Sequence, residues 1–291
     1  TMRSLFVELG TARAVQPAQT ITEFPQGGDF ITYLGALGDA GVFGAKLSPY
    51  LVRDGGPIIT AWTVLMSMEH GQPLALVDAG VLTTERTDAT TALAVDRLAR
   101  ANGPLTLAVI GSGAVAQAHF RHVADLREWR DVRVYSPSLV GDETKRSAWR
   151  GLNLEINICD NAETAVAEAD VVMLCTSSGA PVVAVDDLAE NALVTSISTN
   201  VANAHEIDPA FLNTAQVYCD YRATTPDVAG EMILAAQTTP WNKDKICGDL
   251  AELCTDSCQR PDPDKPIFFR SVGLGLEDIA VANAIYQNAT C

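Results

Sequence analysis

The chain is short of positive charge, of histidine and of long apolar runs. Its 20 lysines and arginines face 36 aspartates and glutamates, a formal net charge of −16. Nucleic-acid phosphates would be repelled by that balance, so no nucleic-acid partner is expected. An acidic substrate would be repelled at long range as well, so any carboxylate site must be locally basic. No apolar run approaches the roughly 20 residues of a membrane-spanning helix, and no membrane partner is expected. The N-terminus has no basic region followed by an apolar stretch, so no secretory signal is expected. The seven cysteines, Cys159, Cys175, Cys219, Cys247, Cys254, Cys258 and Cys291, are odd in number and widely spaced. That is unlike a disulfide framework and fits a reducing, cytoplasmic setting better. Cys247, Cys254 and Cys258 form no C-x-x-C pair and histidines number four, so no metal is expected. Internal repeats and low-complexity tracts are absent.

What is present suffices for a sizeable core. Of 291 residues, 47% are hydrophobic, enough for two domains or one large one. The informative segment is 105–117, Leu-Thr-Leu-Ala-Val-Ile-Gly-Ser-Gly-Ala-Val-Ala-Gln. An apolar run from Leu105 to Ile110 stops at Gly111-Ser112-Gly113, and a helix-forming stretch begins at Ala114. A lone G-x-G-x-x-A is weak, but between a strand and a helix it points to a dinucleotide. Gly111 permits the sharp turn. Gly113 has no Cβ to hold a pyrophosphate away from the backbone. Ala116 is small enough for the helix to pack on the strand. The N–H groups of Ala114, Val115 and Ala116 would face the phosphates. The plainer alternative is a glycine-rich turn with no ligand.

The next strand, Val132–Tyr135, bears on which dinucleotide. An NAD-type site places Asp or Glu at its end to accept from the ribose 2′-hydroxyl. Here the end reads Ser136-Pro137-Ser138, and no carboxylate occurs before Asp142. A 2′-phosphate would meet no like charge there. Ser136 and Ser138 can donate to it, and Lys145 or Arg146 can pair with it. NADP(H) is therefore expected ahead of NAD(H), which stays open. Lys145 and Arg146 have the alternative of being ordinary solvated charges.

Beyond this point strands and helices alternate. Leu152–Ile158, Asp170–Cys175, Ala192–Ser198 and Ala215–Cys219 read as strands, with helical character over 161–169. Near-continuous apolar strands with helices between them indicate an α/β fold with a doubly wound parallel sheet. Ligands of such sheets sit at the carboxyl ends of strands, which assigns Thr176, Ser177, Ser178, Thr199 and Asn200 to the dinucleotide. The first hundred residues differ. Ile21–Phe24, Phe30–Leu34, Ala45–Leu47, Ile58–Met68 and Leu74–Val77 read as strands separated by Gly, Pro and Asp turns, and a helix follows over Thr83–Ala101. The linker Ala101-Asn102-Gly103-Pro104 separates this mainly β part from the next, and the polar, Pro-rich stretch Asp256–Pro266 reads as an exposed loop. Trp62, Tyr33 and Phe43 are available to line a pocket, although such residues are more often core.

Several segments together resemble the ornithine cyclodeaminase/μ-crystallin family. They are Ala45-Lys46-Leu47, Leu82-Thr83-Thr84-Glu85-Arg86-Thr87-Asp88-Ala89, Ala108 to Ala116, Glu206-Ile207-Asp208, Gly248 to Leu253, and Ser271-Val272-Gly273-Leu274-Gly275-Leu276-Glu277-Asp278. They cover nearly the whole chain in the family's order. The resemblance implies a homodimer. It implies a mainly β substrate-binding and dimerisation domain of residues 1–100 with 270–291, and a dinucleotide-binding Rossmann domain of residues 101–269. It also implies action on a small imino or amino acid, by imine reductases, amino-acid dehydrogenases or cyclodeaminases. Position by position, Lys46 and Arg86 match the residues that hold the substrate α-carboxylate, with Thr60 and Thr87 as further donors. Ser271, Val272 and Gly273, with Asn200, match the frame of the nicotinamide. The plainer reading of Arg86 is a first-turn surface residue, where it opposes the helix dipole.

Departures from the family's pattern narrow the reaction. Gln19 stands where a further carboxylate-binding Arg is usual. No acid occupies Phe30–Tyr33, where cyclodeaminases hold a distal amine; Asp29 is nearby. Asn200 stands where cyclodeaminases carry a catalytic Asp, and an amide orients an amine or imine but is no general base. These losses favour hydride transfer to or from the C–N bond of an α-imino or α-amino acid, with Lys46 and Asn200 as catalytic candidates. Asp78 and Asp88 are weaker candidates for moving a proton, and each also suits a turn or helix start. A cyclodeaminase with bound NAD, a non-catalytic NADPH-dependent binder and a condensing amine synthase remain alternatives.

Overall fold

The computed structural model describes residues 1–101, 103–152, 155–198 and 203–290. Helix α1 (Met2–Gly10) leads into β1 (Ala14–Val15), β2 (Thr20–Glu23), β3 (Gly28–Leu37), β4 (Val42–Leu51), β5 (Ile58–Ile59), β6 (Trp62–Ser67) and β7 (Pro73–Asp78). Helix α2 (Ala79–Leu98) follows. Then come β8 (Leu105–Ile110), α3 (Ala114–Ala124), β9 (Trp129–Tyr135), α4 (Glu143–Arg150), β10 (Ile156–Ile158), α5 (Ala162–Val166), β11 (Val171–Leu174), β12 (Leu193–Ser196) and β13 (Gln216–Cys219). The chain continues with α6 (Gly230–Thr238), β14 (Ile246–Asp249), α7 (Leu250–Cys254), β15 (Ile267–Arg270) and α8 (Gly275–Thr290). Two compact units result, Thr1–Arg86 with Gly273–Cys291, and Thr87–Val272.

The first unit is an antiparallel sheet in the order β1-β3-β4-β6-β7, with β2 on β3 and β5 on β4. Burial alternates along β4 and β6, the mark of a sheet with one covered face. Lys46 pairs with Tyr33 on one side and Thr63 on the other, and all three are buried. Leu47 and Trp62 pair one residue out of phase, so they lie on the opposite face with Phe43 and are exposed. Tyr33 thus joins the buried side, whereas Trp62 and Phe43 do not. The strand expected over Ile58–Met68 is broken at Thr60, because β5 pairs only with β4 and β6 starts a separate ladder.

The second unit is an eight-stranded, all-parallel sheet in the order β10-β9-β8-β11-β12-β15-β13-β14. Its first five strands run in the doubly wound order, reversing between β8 and β11, which is where such sheets bind ligands. Every residue of β8, β11, β12 and β15 is buried, so these strands carry no polar alternation. β14 and β15 were not expected from the sequence. β15 enters between β12 and β13, an insertion that no local pattern announces. The helix expected from Thr83 begins earlier, at Ala79, where Asp78 Oδ1 accepts from Gly80 N at 2.8 Å. Asp78 is thereby a helix-start residue. Among the described residues no helix is long and apolar enough to cross a membrane.

Candidate active site

A cavity of about 900 Å³ opens at the strand reversal, bounded by 110–115, 135–138 and 175–178 together with Ala162, Val182, Ile197 and Ser198. Gly111 has φ +136°, and a Cβ there would stand 2.3 Å from the Cys175 carbonyl oxygen. Glycine is therefore required at the turn. At Gly113 a Cβ would meet no protein atom within 4 Å, so the protein's own packing does not demand glycine. The space lies in front of the first turn of α3, whose N-cap, Gly113, offers no side-chain acceptor. The leading N–H groups of a helix have no intrahelical partner, and they suit an anion. Backbone donors, an uncluttered approach and a mostly apolar wall fit a dinucleotide pyrophosphate.

Three hydroxyls gather at the end of β9. Ser112 Oγ is 2.6 Å from Ser138 Oγ, which is 3.1 Å from Ser136 Oγ. Lys145 is engaged by Asp142, through Nζ–Oδ2 at 3.3 Å and the backbone N–H at 3.0 Å. Arg146 faces Glu143 at 4.0 Å. Thr176, Ser177 and Ser178 follow β11, with Ser178 N donating to Thr176 Oγ1 at 3.1 Å. Ser271 and Val272 follow β15, and the buried Asp220 holds both: its Oδ2 accepts from Ser271 Oγ at 3.1 Å and Val272 N at 2.7 Å. Neither lines the cavity just described. Thr199 and Asn200 lie outside the described residues.

Below the glycine turn, the buried ring of His119 on α3 meets two α2 side chains. Nδ1 pairs with Asp88, and Nε2 lies 3.0 Å from Thr91 Oγ1. Burial opposes charge on the ring, but Cys175 and Asp88 outweigh it and raise the His119 pKa well above 6.5. A raised folded-state pKa adds stability that is complete below the unfolded value, 6.5, and is lost as pH rises through the folded value. Asp88→Asn is accordingly expected to cost about 3–5 kcal/mol, the scale for breaking a buried ion pair. Urea unfolding of both proteins at pH 6 and pH 9 checks this, the deficit being larger at pH 6. An equal deficit at both would refute the charged pair.

In the first unit, Lys46 of β4, Arg86 of α2 and two carboxylates of α8 form a buried quartet. Lys46 Nζ lies 2.9 Å from Asp278 Oδ2 and 3.0 Å from Oδ1, donates to Thr83 Oγ1 at 3.4 Å, and sits 4.3 Å from the Tyr33 ring centroid. Arg86 reaches Glu277 Oε2 at 2.9 Å and Asp278 Oδ1 at 3.2 Å. A Cβ at Gly273, where φ is +81°, would stand 2.1 Å from Arg86 Nη1, so glycine there makes room for the guanidinium. Burial lowers the Lys46 pKa, Arg86 lowers it further, and Asp278 opposes them, leaving it at about 8. For Arg86, burial is outweighed by Asp278 and Glu277, which hold its pKa above the ordinary value.

Of the expected substrate residues, Lys46 and Arg86 are thus brought together. Thr87 is the next residue of α2. Thr60, exposed between β5 and β6, and Gln19, half-buried between β1 and β2, stand outside the hydrogen-bonded group. Sequence reasoning missed two features. Glu277 and Asp278 were visible as a motif, but their pairing with residues about 190 and 230 positions earlier was not. Thr63, beside Lys46 in the sheet, has a fully buried Oγ1 with no partner among the described residues. No spacing rule singles it out.

A cavity fitted to a dinucleotide at the reversal point of a parallel sheet, and a buried group of two cations and two carboxylates in the first unit, are the features of an NAD(P)-dependent oxidoreductase. The sequence matches the Ornithine cyclodeaminase/mu-crystallin family over residues 16–291, and the chain belongs to that family. Among its relatives is the NAD(P)H-dependent anabolic L-arginine dehydrogenase DauB of Pseudomonas aeruginosa, 53% identical over 287 residues, covering 98% of this chain and 90% of the relative. A Delta(1)-pyrroline-2-carboxylate reductase of Colwellia psychrerythraea is 27% identical, covering 77% and 72% of the two chains. The fold also matches a solved structure of the Thermococcus litoralis Delta(1)-pyrroline-2-carboxylate reductase with NADH and L-proline. The TM-score is 0.89 at 24% identity, over 99% of this chain and 91% of that one.

Proposed function

We propose that this chain reduces the imino form of a 2-oxo acid with a long cationic side chain, of the arginine type, to the α-amino acid, and runs the reverse oxidation. The coarser statement does not depend on the side chain: it is an NAD(P)H-dependent oxidoreductase acting on the C–N bond of a small α-amino or α-imino acid. The observation that carries the reading is the buried Lys46–Arg86 pair, two cations brought together in a chain of charge −16 and balanced there by Glu277 and Asp278. The arginine-type side chain is supported by the 53% identical relative.

When bound, the dinucleotide supplies or accepts the hydride at the substrate Cα. The protein holds and protonates. Arg86 and Lys46 take the α-carboxylate, with bidentate geometry from the guanidinium. Thr87 and Gln19 keep supporting roles and Asn200 that of orienting the amine or imine. Lys46, with a pKa of about 8, holds a proton near neutrality that it can give to the new amine. In the second unit, the α3 N-terminus with Gly111 to Ala116, Thr176, Ser177 and Ser178 holds the dinucleotide, and the Asp220-anchored Ser271 and Val272 frame its reactive end. The Ser112, Ser136 and Ser138 hydroxyls, with no carboxylate near them on β9, favour a 2′-phosphate and hence NADP(H). The exposed face carrying Phe43, Leu47, Trp62 (45% exposed) and Leu76 (69%) supports a homodimer built on the first unit. A cytoplasmic setting agrees with the free thiols of Cys159, Cys175, Cys219, Cys247, Cys254 and Cys258.

Two measurements test the reading. The first follows NADPH and NADH oxidation with the guanidino 2-oxo acid plus ammonia and with cyclic imino acids. Turnover favouring the guanidino acid is expected. Ammonia release from ornithine without net oxidation, or tight nucleotide binding without turnover, would overturn it. The second is the pH profile of kcat for imino-acid reduction. Reduction needs protonated Lys46, so kcat is expected to fall tenfold per pH unit above about 8. Lys46→Met should be slow and lack that limb, and an unchanged limb would remove Lys46 from the proton path.

A further inference from the structure

Glu206 lies just beyond the undescribed segment that follows β12, and its carboxylate is completely buried. Oε1 accepts from Thr176 N at 2.7 Å and Thr176 Oγ1 at 2.8 Å. Oε2 accepts from Ser196 Oγ at 2.7 Å and Ser198 N at 2.9 Å. Its backbone carbonyl also accepts from Val182 N at 2.9 Å. One side chain therefore ties the end of β11 to the end of β12. Thr176, Val182 and Ser198 all line the dinucleotide cavity. Ser198 has φ +30°, a region that L-residues other than Asn and Asp rarely enter, and its buried Oγ has no partner among the described residues. Strain of this kind persists only where surrounding contacts over-determine it, and here the contact is the Glu206–Ser198 bond.

We propose that Glu206 is a positioning residue for the cofactor. It sets the separation of the β11 and β12 ends and holds the Ser198 backbone at positive φ, which shapes the cavity wall against which a nicotinamide nucleotide binds. This rests on the oxidoreductase reading above but not on which amino acid is turned over. A carboxylate offers acceptors on both oxygens, whereas a glutamine amide would turn an –NH2 toward two of the four donors. Glycine adopts positive φ at little cost and needs no such holding.

The test is a titration of the full-length protein with NADPH and with NADH, read by tryptophan fluorescence, beside steady-state kinetics at saturating nucleotide. Glu206→Gln is expected to raise the Kd for both nucleotides at least tenfold, with the amino-acid KM changed less than twofold. Adding Ser198→Gly should recover at least threefold of that affinity, and Glu206→Asp should retain more affinity than Glu206→Gln. Unchanged Kd in Glu206→Gln overturns the proposal. So does a loss that tracks a lowered melting temperature and is not recovered by Ser198→Gly. If Glu206→Gln fails to fold, Thr176→Val, which removes one of the four bonds, reads the same arm: a Kd raised at least threefold is expected, and no change overturns it. Failure of the unmodified chain to bind either nucleotide would instead overturn the oxidoreductase reading.

Discussion

Arg86→Ala is expected to lower kcat/KM for the imino or amino acid by roughly 10²–10⁴. Two charge-assisted hydrogen bonds to a carboxylate contribute about 1.5–3 kcal/mol each, and about 1.4 kcal/mol corresponds to a factor of ten. Folding suffers as well, because Glu277 and Asp278 would both lose a buried cation that contacts them. Removing one partner of a buried charge group costs about 3–5 kcal/mol. Urea unfolding measures the second effect, and kinetics under conditions where the variant stays folded measure the first. Arg86→Lys is expected to restore stability in part but little activity, since an ammonium cannot grip a carboxylate at two points. Added guanidinium ion at millimolar concentration should recover some turnover in Arg86→Ala. A folded Arg86→Ala protein within tenfold of the parent would remove Arg86 from the substrate site.

Ser136→Asp is expected to reverse the nucleotide preference, changing the NADPH-to-NADH ratio of kcat/KM by about 10²–10³. A carboxylate about 4 Å from a phosphate charge costs about 4 kcal/mol at an effective dielectric of 20. The same carboxylate accepts from the ribose 2′-hydroxyl of NADH, a gain that a serine does not match. Local structure should survive. Ser136 is the N-cap of the short turn Pro137–Leu139, accepting from Ser138 N at 3.4 Å, and aspartate serves that position as well. The measurement is the ratio of the two kcat/KM values in parent and variant. A ratio unchanged by Ser136→Asp would detach the β9 end from nucleotide choice, and the three-hydroxyl cluster would then be only a local network.

The glycine turn and the cavity in front of it could be read from the chain because their parts are local. Within thirteen residues, 105–117, strand, turn and helix follow from an apolar run, two glycines and good helix formers, and each choice answers to its immediate neighbours. The alternation of apolar runs and helices likewise announced a parallel sheet. The missing carboxylate after Tyr135 was equally plain, since it concerns three consecutive residues. Strand lengths were less legible. β10 is Ile156–Ile158, positions 153 and 154 of the expected 152–158 run lie outside the described residues, and β14 and β15 carried too little local signal to be named.

The remaining features arise from residues far apart in the chain. β15 lies between β12 and β13 because a later segment filled the gap, and strand order is a matter of packing rather than pattern. Lys46 acquires a pKa near 8 only when β4, α2 and α8 bury it beside Arg86 and Asp278. Glu206 stands in the sequence only as part of the Glu206-Ile207-Asp208 segment, and four donors from two strand ends make it an anchor. Local chemistry written in neighbouring residues thus settled the fold class and the glycine turn after β8, and it singled out Lys46 and Arg86 as candidates. Which carboxylates balance those cations, how far Lys46 is desolvated and where Ser198 is held strained were decided by tertiary packing. Burial and long-range hydrogen bonds set charge and geometry there, and neither exists until the chain has folded.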